Sequence, residues 1–367
     1  MNKFIMVLTL LVFSATLAHA STKKQLQFNT IADSAFTQLI TLPDPNGHTQ
    51  IIKLINSATS SIFLEIYHLS NLDVQSALID AFNNNISVQV IVDRNFSESA
   101  DGIALMQRFH GNMRNNVAAP VPIIASSAQF SISHTKSMVI DAERVVIGTE
   151  NLSNSYAGTR EQSLVIDDPS VASDLSALFK QDWINAQANT ALTPTLAHDQ
   201  LVVSPTNSDS KIVDLIQSAK TSIDLEVENL GAPEVIQALS DAHTQKNVAV
   251  RVLVPYCDKN ANPYYNVPAI QQLKGIGVVT RLMPPPESAD TPYIHAKVIL
   301  VDLNTKSPKG FVGSENFSTN SLTKARELGI LFSYLPFLQD MESDFATDFA
   351  KAIDIQNPNP ICPPVTD

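Results

Sequence analysis

The chain has 367 residues, of which 44% are hydrophobic and 16% charged, with a formal charge of −12 at pH 7. That much apolar content excludes a disordered polymer and leaves room for two domain-sized halves with their own cores. The acidic balance weighs against a nucleic-acid binder, whose affinity comes mainly from basic groups that neutralise phosphates.

At the amino terminus, Lys3 precedes the apolar run Phe4 to Val12, and Ala18-His19-Ala20 supplies a small-x-small cleavage pattern. The expectation is a leader over residues 1–20, cleaved after Ala20, and a secreted or periplasmic protein. The apolar run is shorter than the about 20 residues a spanning helix needs, and no later stretch is a better candidate. In an oxidising compartment the only two cysteines, Cys257 and Cys362, either form one disulfide or stay as buried thiols. Neither has the spacing of a metal-thiolate site.

From residue 51 the chain repeats itself. Ile51, Ile52, Leu54 and Ile55 suit the inner face of a helix, Ile62, Leu64 and Ile66 alternate as in a strand, and a helix from about Val74 to Asn83 leads into a strand over Ile86 to Val92. The segments 51–58 and 61–65 recur at 212–219 and 222–226, and Ala77-Leu78 recurs as Ala238-Leu239. Strand Val88 to Val92 has its counterpart in Val250 to Val254. Helices alternating with strands predict α/β layers around a mixed sheet in each half. Residues 21–195 and 196–367 are taken as the halves, because Ala186 to Ser210 is rich in Ala, Thr, Asn and Ser and reads as a linker.

The chemistry sits in the repeated motif H-x-K-x4-D. The first copy runs from His134 through Lys136 to Asp141, followed by Gly148-Thr149-Glu150-Asn151 and Arg160-Glu161. The second has His295, Lys297 and Asp302, then Gly313-Ser314-Glu315-Asn316 and Arg326-Glu327. On a strand, a histidine and a lysine two residues apart project from one face. Asp141 and Asp302 end the apolar runs, where a carboxylate ties down a turn. Cleaving a phosphodiester needs a nucleophile, an acid and cations on the non-bridging oxygens. One imidazole attacks phosphorus and the other protonates the leaving oxygen, while Lys136, Lys297 and the amides of Asn151 and Asn316 hold the developing charge. Glu161 and Glu327 are assigned to fixing the imidazole tautomers. A metal site is the weaker reading, since lysine repels a cation, so no metal and no cofactor are expected.

The paired motifs resemble those of the phospholipase D superfamily, and the resemblance runs from about Gly47 to Glu327. It implies a duplicated fold of the α/β class, with two α/β/α halves and mixed sheets about a pseudo-two-fold axis. It also implies metal-independent catalysis through a phosphohistidine, with His134 as nucleophile and His295 as acid. Thr149 stands where many members have serine, and Thr149 and Ser314 are expected to join the lysines and asparagines in holding substrate. The substrate expected is a phospholipid at a membrane surface, with hydrolysis or transfer of the headgroup, by a monomer. A secreted nuclease is the alternative, and a binding protein without turnover is a third reading that the intact motifs oppose. Glu65 and Glu226 either line the pocket or lie on the surface at strand ends. His48, His68, His110, His198 and His243 are read as surface or loop residues. Met283 to Pro286 and Met106 to Asn116, with Arg108 and Arg114, are candidate walls of the entrance.

Overall fold

A computed structural model describes residues 31–257, 265–285 and 288–355. The leader expected over 1–20, together with Pro286 and Cys362, lies outside the described residues. Cys257 is disulfide-bonded.

The first half comprises β1 (Phe36–Leu42), α1 (Thr49–Asn56), β2 (Ser61–Ile66), α2 (Leu72–Asn83), β3 (Ser87–Val92), α3 (Arg94–Ser97), α4 (Ala100–His110), the short pair β4 (Met113–Arg114) and β5 (Val117–Ala118), β6 (Ile123–Ala125), β7 (Lys136–Ile140), β8 (Arg144–Gly148), β9 (Thr159–Asp167) and α5 (Pro169–Ala188). The second comprises β10 (Leu201–Ser204), α6 (Ser208–Gln217), β11 (Ser222–Val227), α7 (Pro233–Lys246), β12 (Ala249–Pro255), α8 (Val267–Gly275), β13 (Val279–Met283), β14 (Tyr293–Ile294), β15 (Lys297–Val301), β16 (Lys309–Gly313), α9 (Thr319–Thr323), β17 (Glu327–Phe332) and α10 (Leu335–Lys351).

The two main sheets have one topology. The first runs β1-β9-β8-β7-β2-β3-β6 and the second β10-β17-β16-β15-β11-β12-β13. In each, the strands linked by helices pair in parallel and the motif strand joins an antiparallel meander. Both faces of each sheet are covered, so the motif strands read as continuous apolar runs. Met138 and Ile140 face the helices of their own half, while Val139 belongs to the buried layer between the halves, together with Val298, Leu300 and Leu328. Ile299 and Val301 likewise pack under the helices of the second half.

Two sequence expectations need correction here. The stretch 186–210 is not all linker. The helix α5 continues to Ala188, and Leu201, Val202 and Val203 form a buried edge strand against β17, because three consecutive apolar residues are stabilised by burial rather than by exposure. The expected helix-strand order also omits a leading strand in each half, since β1 and β10 come first and pair antiparallel with β9 and β17.

Asp141 and Asp302 take positive φ values of 55° and 57° just past the motif strands. Asp141 accepts backbone bonds from Thr59, Ser60 and Ser61 at 2.7–2.9 Å, and Asp302 does the same for Lys220, Thr221 and Ser222. Each carboxylate ties the turn after the motif strand to the start of the neighbouring strand. These donors outweigh partial burial and hold the Asp141 carboxyl down at about 2. Its contribution to stability is therefore complete above the ordinary carboxylate range and is lost as the pH falls toward 2. Asp141→Ala removes five hydrogen bonds and should cost about 2 to 4 kcal/mol in urea unfolding at neutral pH. A midpoint unchanged from wild type would count against this bracing role.

Candidate active site

The motif histidines stand two residues ahead of β7 and β15, not inside them as the i, i+2 reading supposed. Each lies in a segment that crosses to the other half. Residues 131–134 run beside 324–326, with the His134 amide donating to the Arg326 carbonyl at 2.8 Å and the Arg326 amide to the Ile132 carbonyl at 2.9 Å. In the same way β14 pairs with the start of β9, and the His295 amide donates to the Arg160 carbonyl at 3.3 Å.

This register sets each imidazole beside the glutamate of the opposite half. Nδ1 of His134 is 2.9 Å from Glu327 Oε2, and Nδ1 of His295 is 2.7 Å from Glu161 Oε1. Each histidine of one half is thus paired with a carboxylate carried by the other. The two rings face each other with centroids 6.4 Å apart. With Nδ1 of His134 held by Glu327 and by the Ser314 carbonyl at 3.1 Å, its proton belongs on Nδ1 and the Nε2 lone pair faces the site.

The arginines of the Arg-Glu pairs cross as well. Arg326 bonds Asp182 on α5, and Arg160 bonds Asp348 on α10 with contacts of 2.6 and 3.1 Å. Arg160 also donates to the Leu42 carbonyl and Arg326 to that of Ser204. Each Arg-Glu pair thus anchors one half to the other and places a carboxylate in the partner's site.

Lys136 and Lys297 are buried and each donates back to the carbonyl of its own motif histidine, at 2.8 and 2.5 Å. The Asn316 amide enters the site, whereas Asn151 presents a buried Oδ1 with no hydrogen-bond partner among the described residues. Thr149 and Ser314 are placed differently from expectation. Both are fully buried; Thr149 donates to Glu161 at 2.6 Å, and Ser314 accepts from the Leu328 amide. Both hydroxyls are thus engaged with the glutamate strands, Thr149 through Glu161 and Ser314 through the Leu328 amide.

Glu65 and Glu226 neither line the pocket nor reach the surface. Burial, reinforced by Asp182 for Glu65 and Asp348 for Glu226, pushes each up to about 8, which favours the protonated form beneath the arginine pairs. His48 is not a surface histidine. It is 4% exposed, its Nδ1 bonds Glu150 and its Nε2 meets the Ser153 carbonyl at 2.6 Å. His198 pairs with Asp174 at 2.8 Å, His110 is exposed, and His68 packs its ring 4.4 Å from that of Phe96. Arg108 and Arg114 bond α2 and the turn after it through Gln75, Ser76 and Asn85.

Sequence reasoning missed Glu228. Its Oε2 is 3.2 Å from Lys297 Nζ, 3.2 Å from Asn316 Nδ2 and 3.5 Å from His295 Nε2, and its Oε1 accepts from the Tyr293 hydroxyl at 2.9 Å. The equivalent position of the first half is Tyr67, whose ring lies 4.9 Å from that of His134, with Lys136 Nζ 5.2 Å from its centre.

The electrostatics follow from burial against charge. Burial alone pushes Glu161, Glu327 and Glu228 up, but the imidazoles and lysines beside them win and hold all three below the usual carboxylate value. Burial, with Lys297, lowers His295 to about 4 against the pull of Glu161 and Glu228. Burial and then Lys297 lower Lys136 to about 7. An anion entering this site is attracted best while Lys136 is charged, so its affinity should fall as pH rises through 7, approaching about tenfold per unit. The measurement is competitive inhibition by a dialkyl phosphate, whose own charge is constant; an inhibition constant flat from pH 6 to 9 would contradict the assignment.

Among the described residues no helix is long and apolar enough to cross a membrane, and no cluster of three or more His, Cys, Asp or Glu side chains is arranged to hold a metal ion. Residues 51–183 and 212–349 both match the family model described as cardiolipin synthase, phospholipase D-like domain. The phospholipase D of Rickettsia conorii is 26% identical over 149 residues, which are 40% of this chain and 66% of that protein, just short of two thirds of its length. Phospholipase D Z of Dictyostelium discoideum is 22% identical over 385 aligned residues, covering 87% of this chain and 88% of its own. The solved phosphatidylserine synthase of Haemophilus influenzae has the same fold, with a TM-score of 0.68 at 15% identity over 89% of both chains. With matched segments in both halves, and with the site formed where they meet, the chain belongs to the phospholipase D superfamily.

Proposed function

We propose that the protein is a phosphodiesterase of the phospholipase D type, acting on a phospholipid headgroup through a phosphohistidine. The observation that carries the reading is the facing pair His134 and His295, each with a carboxylate on Nδ1 and a buried lysine beside it. Nε2 of His134 attacks phosphorus, forming the P–N bond as the P–O bond to the headgroup breaks, and His295 passes its Nε2 proton to the departing oxygen. Water then attacks phosphorus, gives its proton to His295 and releases the phosphate from His134. An alcohol in place of water gives transfer instead of hydrolysis.

Burial lowers His295 to about 4, which favours the neutral ring at pH 7. The negative charge of a bound diester beside Nε2 favours the imidazolium, so the proton needed by the leaving group is taken up with the substrate. Lys136, Lys297 and Asn316 meet the non-bridging oxygens, where their charge counts most as the transition state forms. Glu161 and Glu327 hold the rings in the productive tautomer.

The test is to incubate the protein with EDTA, separately on phosphatidylcholine vesicles and on plasmid DNA. Release of phosphatidic acid with the DNA intact is the expected result, and nicking of DNA without lipid turnover would replace this reading with a nuclease. The reading extends to export to the periplasm or beyond, and mass spectrometry of exported protein should find Ser21 as its first residue. Retention of Met1 to Ala20 would refute it.

A further inference from the structure

Resting on the phospholipid reading, we propose that Glu228 selects the leaving group, and that the preferred headgroup is an amino alcohol carrying a positive charge, such as ethanolamine.

The two halves repeat the histidine, lysine, asparagine and glutamate, so whatever the halves share serves chemistry common to any diester. A phospholipid diester is not symmetric: glyceride on one side, headgroup on the other. A residue that tells the sides apart has to break the repeat. Position 67 and its counterpart 228 do so inside the site, with a tyrosine against His134 and a carboxylate against His295.

Glu228 stands on the leaving-group side. Its Oε2 is 3.5 Å from Nε2 of His295, the atom that protonates the departing oxygen in the mechanism above. It is 8% exposed and ionised, held by Lys297, Asn316 and the Tyr293 hydroxyl. A bound phosphate takes Lys297, Asn316 and His295 Nε2 for its own oxygens, which leaves the carboxylate with Tyr293 alone. A buried charge stripped of its partners is costly, and an anion beside it adds repulsion. A headgroup whose ammonium lies a few bonds from the ester oxygen restores the balance. A neutral alcohol such as glycerol does not, and a second phosphate worsens it.

The experiment compares phosphatidylethanolamine with phosphatidylglycerol, each dilute in neutral-detergent micelles so that surface charge does not differ. The wild-type enzyme should favour ethanolamine in kcat/KM by about tenfold or more, the size of one charge-assisted contact. Glu228→Gln should bring that ratio close to one. A ratio equal to that of wild type in the variant, whether both rates fall or both rise, overturns the proposal, because the carboxylate then serves all substrates alike or merely plugs the site. A second measurement needs no variant. Glycerophosphoethanolamine should inhibit wild-type cleavage of bis-p-nitrophenyl phosphate about tenfold more strongly than glycerophosphoglycerol, and equal inhibition overturns the proposal. The lipid reading fails separately, when wild-type enzyme cleaves DNA and neither lipid.

Discussion

His134→Ala should abolish turnover of every diester, with a loss of about 10⁴-fold or more in kcat, because it removes the group that forms the covalent bond. A better leaving group does not restore a missing nucleophile. His295→Ala should behave differently. Acid–base catalysis contributes about 10²–10⁴-fold, and a p-nitrophenolate departs without a proton, so bis-p-nitrophenyl phosphate should recover part of the rate in that variant. The same variant should accumulate phosphohistidine, since His295 also activates the water of the second step. Quenching during turnover and mapping the acid-labile phosphate should place it on the peptide that contains His134. Phosphate on His295 in the wild-type enzyme would reverse the two roles.

The parts of this site that were legible in the sequence were local or duplicated. Apolar periodicity located α1, β2, α2 and β3, and the second copy of each motif turned an ordinary histidine-lysine pair into evidence of chemistry. What stayed hidden depends on contacts between segments far apart in the chain. The crossing of Glu327 to His134 follows from residues 131–134 lying along 324–326, and no pattern within either segment announces that pairing. The strand β10 is four residues long and sits in a polar stretch, so composition hid it. His48 looked like a loop residue because its burial depends on Glu150. Glu228 is hidden for a subtler reason: it occurs in one half only, so the internal repeat does not mark it. Its position was nonetheless readable, two residues beyond the repeated Ser222 to Glu226, where the first half has Tyr67.

Glu327→Gln should lower kcat by about 10²–10⁴-fold while leaving the fold intact, since the amide keeps the size of the carboxylate and loses its charge. The amide nitrogen would oppose the Nδ1 proton of His134 and favour the wrong tautomer, withdrawing the Nε2 lone pair from attack. Because Glu327 acts through His134, the loss should be independent of the leaving group, and combining Glu327→Gln with His134→Ala should cost no more than His134→Ala alone. Glu161→Gln acts through His295 and should be eased by a p-nitrophenolate leaving group, as His295→Ala is. These signatures distinguish crossed pairing from pairing within each half. If Glu327→Gln were rescued by the better leaving group and Glu161→Gln were not, the glutamates would serve the histidines of their own halves. The crossed arrangement also explains why each arginine beside a glutamate is anchored in the opposite half. Arg326 grips Asp182 on α5 of the first half, so the residue next to Glu327 is tied to the domain that carries His134. Removing one partner of that buried pair, as in Asp182→Asn, should loosen the seam on which both carboxylates depend and lower activity on all substrates together.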